Sequence, residues 1–147
     1  MLINDKIDNL LKTTSRSFYP TLKYLPKKVR GQIGLLYLLA RVADTIADSK
    51  SGETEELLKL LRDYNQVAQG KSNDLPDFSK LAEIQENPHE AELLLNVSDV
   101  VDGLMVYSEE DRQRMLECLD IIVGGQILDL ERFGPAKEGG NLSSLSD

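Results

Sequence analysis

The chain is expected to be all-α. Its apolar residues recur at helical spacing almost throughout. No segment alternates as a half-buried strand would, and Pro, Asn and Ser stand where helices begin. There is no internal repeat or low-complexity tract. The 147 residues, 41% hydrophobic and 29% charged, suit one globular domain with a real core.

A first helix is expected over Asp5 to Thr14. A short helical segment from Ser15 to Leu25 is interrupted or bent near Pro20. Pro26 stands where a helix can begin, and a long helix follows over Lys27 to Ala47. Ser51 and Gly52 make a break, and Thr54 can cap a helix that ends near Gly70. Residues 71–87 read as loop. Asn87 as cap with Pro88 in the first turn starts another helix, running to about Tyr107. Ser108 followed by Glu109, Glu110 and Asp111 starts the last one, because acids favour the positive end of a helix dipole. Gly134-Pro135 stops it near Phe133, and a Gly- and Ser-rich stretch follows.

The charge balance excludes some functions. With 17 basic and 25 acidic residues the net charge is −8, which disfavours nucleic-acid binding through phosphates. Anions can still be held locally by placed Arg residues or a bridging cation. The single cysteine, Cys118, forms no intrachain disulfide, fits a reducing compartment and falls in an apolar helical pattern that suggests a core position. The first residues lack a signal-peptide layout. The longest apolar run, Ile33 to Ala40, is far shorter than the ~20 residues of a spanning helix. A cytoplasmic protein, soluble or peripheral to a membrane, is expected.

The long helix carries the candidate chemistry. At 100° per residue, Arg41, Asp44 and Asp48 fall within about 40° of Tyr37, on one narrow stripe. Leu35, Leu36, Leu38, Leu39, Val42, Ala43, Ile46 and Ala47 cover most of the remaining surface, so the helix is expected to be buried with its charged stripe facing an interior cavity. Charges in such a place need partners or a metal. Two Asp one turn apart offer hard oxygen ligands that suit Mg²⁺. Arg41 can hold a diphosphate oxygen. Tyr37 can present a hydroxyl or an electron-rich face to a cation. Thirteen Asp make one such pair expected by chance, so an Arg-Asp network at the solvated end of an ordinary helix competes with the metal site.

Ser15-Arg16-Ser17-Phe18 and Leu36-Tyr37-Leu38-Leu39-Ala40-Arg41-Val42-Ala43-Asp44-Thr45-Ile46-Ala47-Asp48 together resemble the squalene/phytoene synthase family, in its first aspartate-rich motif with the upstream Tyr and Arg. Their separation also fits the family pattern. Gly125-Gln126-Ile127-Leu128-Asp129-Leu130 is similar to a further helix segment of the family, with Gln126 standing where the family has Met. The Arg41 to Asp48 form looks closest to bacterial squalene synthases. The resemblance implies an all-α prenyl transferase that condenses two prenyl diphosphates, farnesyl diphosphate foremost, head to head through a cyclopropyl diphosphate to squalene. Asp44 and Asp48 would hold Mg²⁺ on the donor diphosphate. Ser15, Arg16, Ser17 and Arg41 would contact diphosphate oxygens, and Tyr37 would line the reacting centre. Phe18, Gln126 and Asp129 are weaker pocket candidates. NADPH would be needed if squalene is the product. Phytoene or dehydrosqualene formation is the alternative reaction, and a non-catalytic all-α binding or interaction domain the alternative class.

The family has a second aspartate-rich motif facing the first, and nothing after Asp129 matches it. Residues 1–147 are therefore expected to form the N-terminal half of one isoprenoid synthase domain, with the C-terminal half absent and the fragment alone inactive. Several residues keep plainer readings. Ser15 and Ser17 suit local backbone caps. Phe18 and Tyr19 suit the core. Asp129 can be water-linked to a metal or face solvent. Arg30 shares the stripe of Tyr37 but lies ~10 Å back along the axis, too far for direct diphosphate contact.

Overall fold

The computed structural model describes residues 5–15, 17–49 and 53–133. Every regular element among them is helical. They are α1 (Asp5–Thr14), α2 (Lys27–Ala47), α3 (Thr54–Ala68), α4 (Ser79–Glu83), α5 (Pro88–Leu95), α6 (Val97–Asp102) and α7 (Glu109–Phe133), with 3₁₀ turns at Tyr19–Tyr24 and Gly103–Val106. No helix among the described residues is long and apolar enough to cross a membrane.

α2 lies at the centre and touches α1, α3, α5, α6 and α7. Leu35, Leu38, Leu39, Val42, Ala43 and Ile46 are fully buried on it. At 100° per residue these six fall on one broad face of about 140°, with Leu36, Ala40 and Ala47 only partly buried beside it, so the helix is buried on one side and not nearly all round as expected. α1 contributes Ile7 and Leu11, α3 contributes Leu57 and Leu61, and α7 contributes Leu119 and Val123 to the same core.

Polar contacts fix the register of these helices. The fully buried Tyr64 of α3 donates its hydroxyl to the Leu39 carbonyl of α2 at 2.7 Å. Burial pushes that hydroxyl's pKa well up, so it stays a donor. α3 also meets α7, where Asn65 donates to Asp120 at 2.9 Å and Gln69 donates to the Leu116 carbonyl at 2.8 Å. Gly31 lets the Tyr107 side chain lie close against α2, since a Cβ there would push its hydroxyl aside. Gly70, just past α3, has φ +79°, the left-handed conformation that glycine takes at no steric cost.

Several elements differ from expectation. Pro20 stands in the first turn of the 3₁₀ segment and begins it instead of breaking it, because its missing N–H is no loss there. Glu53, not Thr54, occupies the cap of α3, and no side chain caps it. The expected loop over 71–87 contains α4, whose Leu81 and Ala82 are buried with the preceding Phe78. The expected helix from Pro88 to about Tyr107 is divided into α5, α6 and a 3₁₀ turn. It breaks at Asn96, whose side chain donates to the Glu92 carbonyl at 2.8 Å. Cys118 is exposed and not in the core, because α7 turns only a narrow stripe inward. The break at Ser51-Gly52 and the stop at Gly134-Pro135 lie outside the described residues.

The Tyr64 contact gives a stability test. Tyr64→Phe keeps the ring and removes one buried donor. It should lower unfolding free energy by about 1 kcal/mol in chemical denaturation. Tyr64→Ala should cost about 3–5 kcal/mol, because it also opens a cavity against α2.

Candidate functional site

The C-terminal half of α2 carries the stripe, and three other elements converge on it. From the N-terminal side, Phe18 stacks on Tyr37 with ring centroids 4.7 Å apart and planes 21° from parallel. α7 brings Gln126, whose side-chain amide donates to Asp44. α5 brings Glu90, which accepts from Arg41 Nη2 at 2.8 Å.

The local reasons for this placement are legible. Ser15 is buried at the end of α1, and its hydroxyl accepts from the Phe18 N–H at 3.2 Å. That bond turns the chain so that Phe18 points back at Tyr37. Arg30 donates to the carbonyls of Lys23 and Leu25 at 3.0 and 2.9 Å, pinning the corner before α2. At the far end of α2, Ser49 donates to the Thr45 carbonyl at 2.6 Å and accepts from Gln85 at 2.9 Å. Beside this contact lies a groove of about 220 Å³, lined by Asp48, Ser49, Gln85, Asn87 and Glu90 among others.

Asp44 and Asp48 are exposed, so the stripe lies on an open face, with only its Asp48 end at the groove, and not on the enclosed cavity expected. The physical reason is that Gln126 and Glu90 flank this face of α2 without covering it. Even so, both carboxyls sit above the usual carboxylate range. For Asp44 the causes are partial desolvation, then the charge of Asp48, with Arg41 opposing and Glu90 adding to the rise. For Asp48 they are partial desolvation, then the charge of Glu90, with Arg41 opposing. The site is thus short of positive charge.

Not every expected residue joins the cluster. Phe18, Tyr37, Arg41, Asp44 and Gln126 are brought together by the contacts above, and Asp48 borders the same groove. Ser15 serves as a turn cap, the plainer of its two readings. Ser17 is exposed. Asp129 faces solvent, three residues beyond Gln126. Arg16 lies outside the described residues. Glu90 was not anticipated. An acid in the first turn of a helix reads as a dipole partner, and only its alignment with Arg41 across 49 residues distinguishes it.

Among the described residues no group of three or more His, Cys, Asp or Glu side chains is arranged to hold a metal. The Asp44/Asp48 pair therefore offers two carboxylates at most. That donor set fits Mg²⁺, which takes one or two carboxylates and completes its shell with water and phosphate oxygens.

The squalene/phytoene synthase family model matches residues 11–130, a span that includes every contact of the cluster. No curated protein and no solved structure gives a match.

The raised carboxyl pKa values bear on stability. A folded-state carboxyl that holds its proton more tightly than in the unfolded chain adds stability at low pH, and loses it as pH rises through the folded pKa. At neutral pH the charged pair is therefore a burden. Asp44→Asn should raise Tm at pH 7, with the gain shrinking toward pH 4 in scanning calorimetry.

Proposed function

The chain belongs to the squalene/phytoene synthase family, and from that premise we propose that its enzyme joins two farnesyl diphosphates head to head to give squalene, with the α2 stripe holding the donor diphosphate through Mg²⁺. The family acts on prenyl diphosphates and condenses them head to head. What carries the proposal for this chain is the convergence of Phe18, Tyr37, Arg41, Asp44 and Gln126 within the matched span.

The chemistry asks for two things that these residues offer. Breaking the allylic C–O bond leaves the electron pair on the diphosphate, so cations must stabilise the leaving anion. Asp44 and Asp48 would hold Mg²⁺, which when bound supplies Lewis-acid stabilisation of that anion. Arg41, held by Glu90, would add a fixed guanidinium donor on the same stripe. The allylic cation left behind needs an electron-rich and water-poor surface. Phe18 and Tyr37, stacked on each other and packed against the core, would line that surface with aromatic carbon. Gln126 would orient the Asp44 carboxylate by its amide. Arg16 and Ser17 would reach further diphosphate oxygens, and Asp129 would act through water.

The family reaction also calls for a carboxylate pair facing Asp44 and Asp48. Squalene formation would draw on NADPH, whereas dehydrosqualene or phytoene formation would not. A cytoplasmic enzyme that meets the membrane peripherally would suit so apolar a product.

In the intact enzyme, Asp44→Asn and Asp48→Asn should each lower turnover by about 10²–10³-fold with helicity unchanged. Product analysis with farnesyl and geranylgeranyl diphosphate, with and without NADPH, should show squalene only when reductant is present. Undiminished function in the double variant would point to a non-catalytic interaction domain.

A further inference from the structure

Arg41 precedes Asp44 by three residues and Asp48 by seven, on one stripe of α2. At a spacing of three, an Arg and an Asp on a helix face are placed to pair with each other. Here they do not. Arg41 Nη2 reaches away to Glu90 Oε1 on α5 at 2.8 Å. Among the described residues no cation lies within ion-pair distance of Asp44 or Asp48.

Glu90 is well placed to do this. It is the third residue of α5, after the Asn87 cap, whose side chain accepts from the His89 N–H at 2.8 Å. A glutamate there ordinarily reaches back to the N–H of the cap residue. Glu90 turns to Arg41 instead. Leu93 and Leu94 anchor α5 in the core, so the carboxylate is presented from a fixed support. The Arg41 and Glu90 side chains are 32% and 24% exposed, which shields their pair from solvent more than a surface pair.

We propose that Glu90 is a positioning residue that draws Arg41 off Asp44 and Asp48, so that both carboxylates stay unneutralised for a divalent cation while Arg41 stays beside them on the stripe. The inference rests on the Mg²⁺-diphosphate role given above to Asp44 and Asp48. Asp44 and Asp48 both already feel the Arg41 charge, so they are the anions it can turn to without Glu90. A guanidinium on either one would occupy the oxygens that a cation needs. The four side chains together carry three negative charges and one positive, a sum of −2, which one divalent ion balances.

The test is a double-mutant cycle on Mn²⁺ binding to the 147-residue chain, followed by electron paramagnetic resonance. Glu90→Gln should weaken Mn²⁺ binding about ten-fold. In an Arg41→Gln background the same substitution should change it less than two-fold, because there is no guanidinium left to hold away. Equal weakening in both backgrounds would mean that Glu90 acts by its field alone, and would overturn the proposal. So would unchanged affinity in Glu90→Gln. If the wild-type chain binds no Mn²⁺, the cation role of the aspartates fails by itself, and Glu90 is then judged on the cation-free protein. There the Arg41 Nε–H resonance should move in Glu90→Gln, and move again when Asp44→Asn and Asp48→Asn are added. No second movement would overturn the proposal.

Discussion

Burial of α2 is the constraint on which the rest depends. One helix has to supply the centre of the core and the wall of the site. It does so because its apolar residues occupy most of the circumference and its charged residues keep to one stripe. The surrounding helices dock on the apolar part. Tyr64 reads the backbone of α2 at Leu39, two residues before Arg41, so the core contact and the charged stripe share a register. A rotation of α2 that improved its packing would carry Asp44 and Asp48 with it.

The polar contacts around the stripe form a second tier. Phe18, Glu90 and Gln126 come from three separate parts of the chain, and each meets a different residue of α2. None of them screens the aspartates with positive charge. The site is consequently held in an unfavourable electrostatic state, visible in the raised carboxyl pKa values, while the core beneath it is apolar and well buried. Such local cost on a firm support agrees with the binding role proposed above for the two aspartates.

Much of this was legible in the sequence where local chemistry decides. Asn87-Pro88 and Ser108 mark helix starts by capping, and Asn87 accepts from His89 as that chemistry requires. α1 and α2 follow their apolar periods from end to end. What stayed hidden depends on tertiary contact. α4 forms because Phe78, Leu81 and Ala82 have a core to enter, although residues 71–87 read as loop. The helical period runs on through Asn96, so the break there is set by one side chain competing for a carbonyl. Cys118 looked internal because α7 carries apolar residues on its exposed face as well, Ile121 and Leu128 among them. Glu90 could not be chosen from sequence, since nothing local tells a glutamate that caps its own helix from one that reaches another.

The central claim is that the α2 stripe is a diphosphate half-site completed by a divalent cation. Its most direct test is a backbone NMR titration of the chain with inorganic diphosphate, with and without Mg²⁺. The account predicts Mg²⁺-dependent shifts concentrated on residues 37–48, with smaller ones at Glu90 and Gln126. Shifts centred elsewhere, or a response at 37–48 that is the same without Mg²⁺, would contradict it.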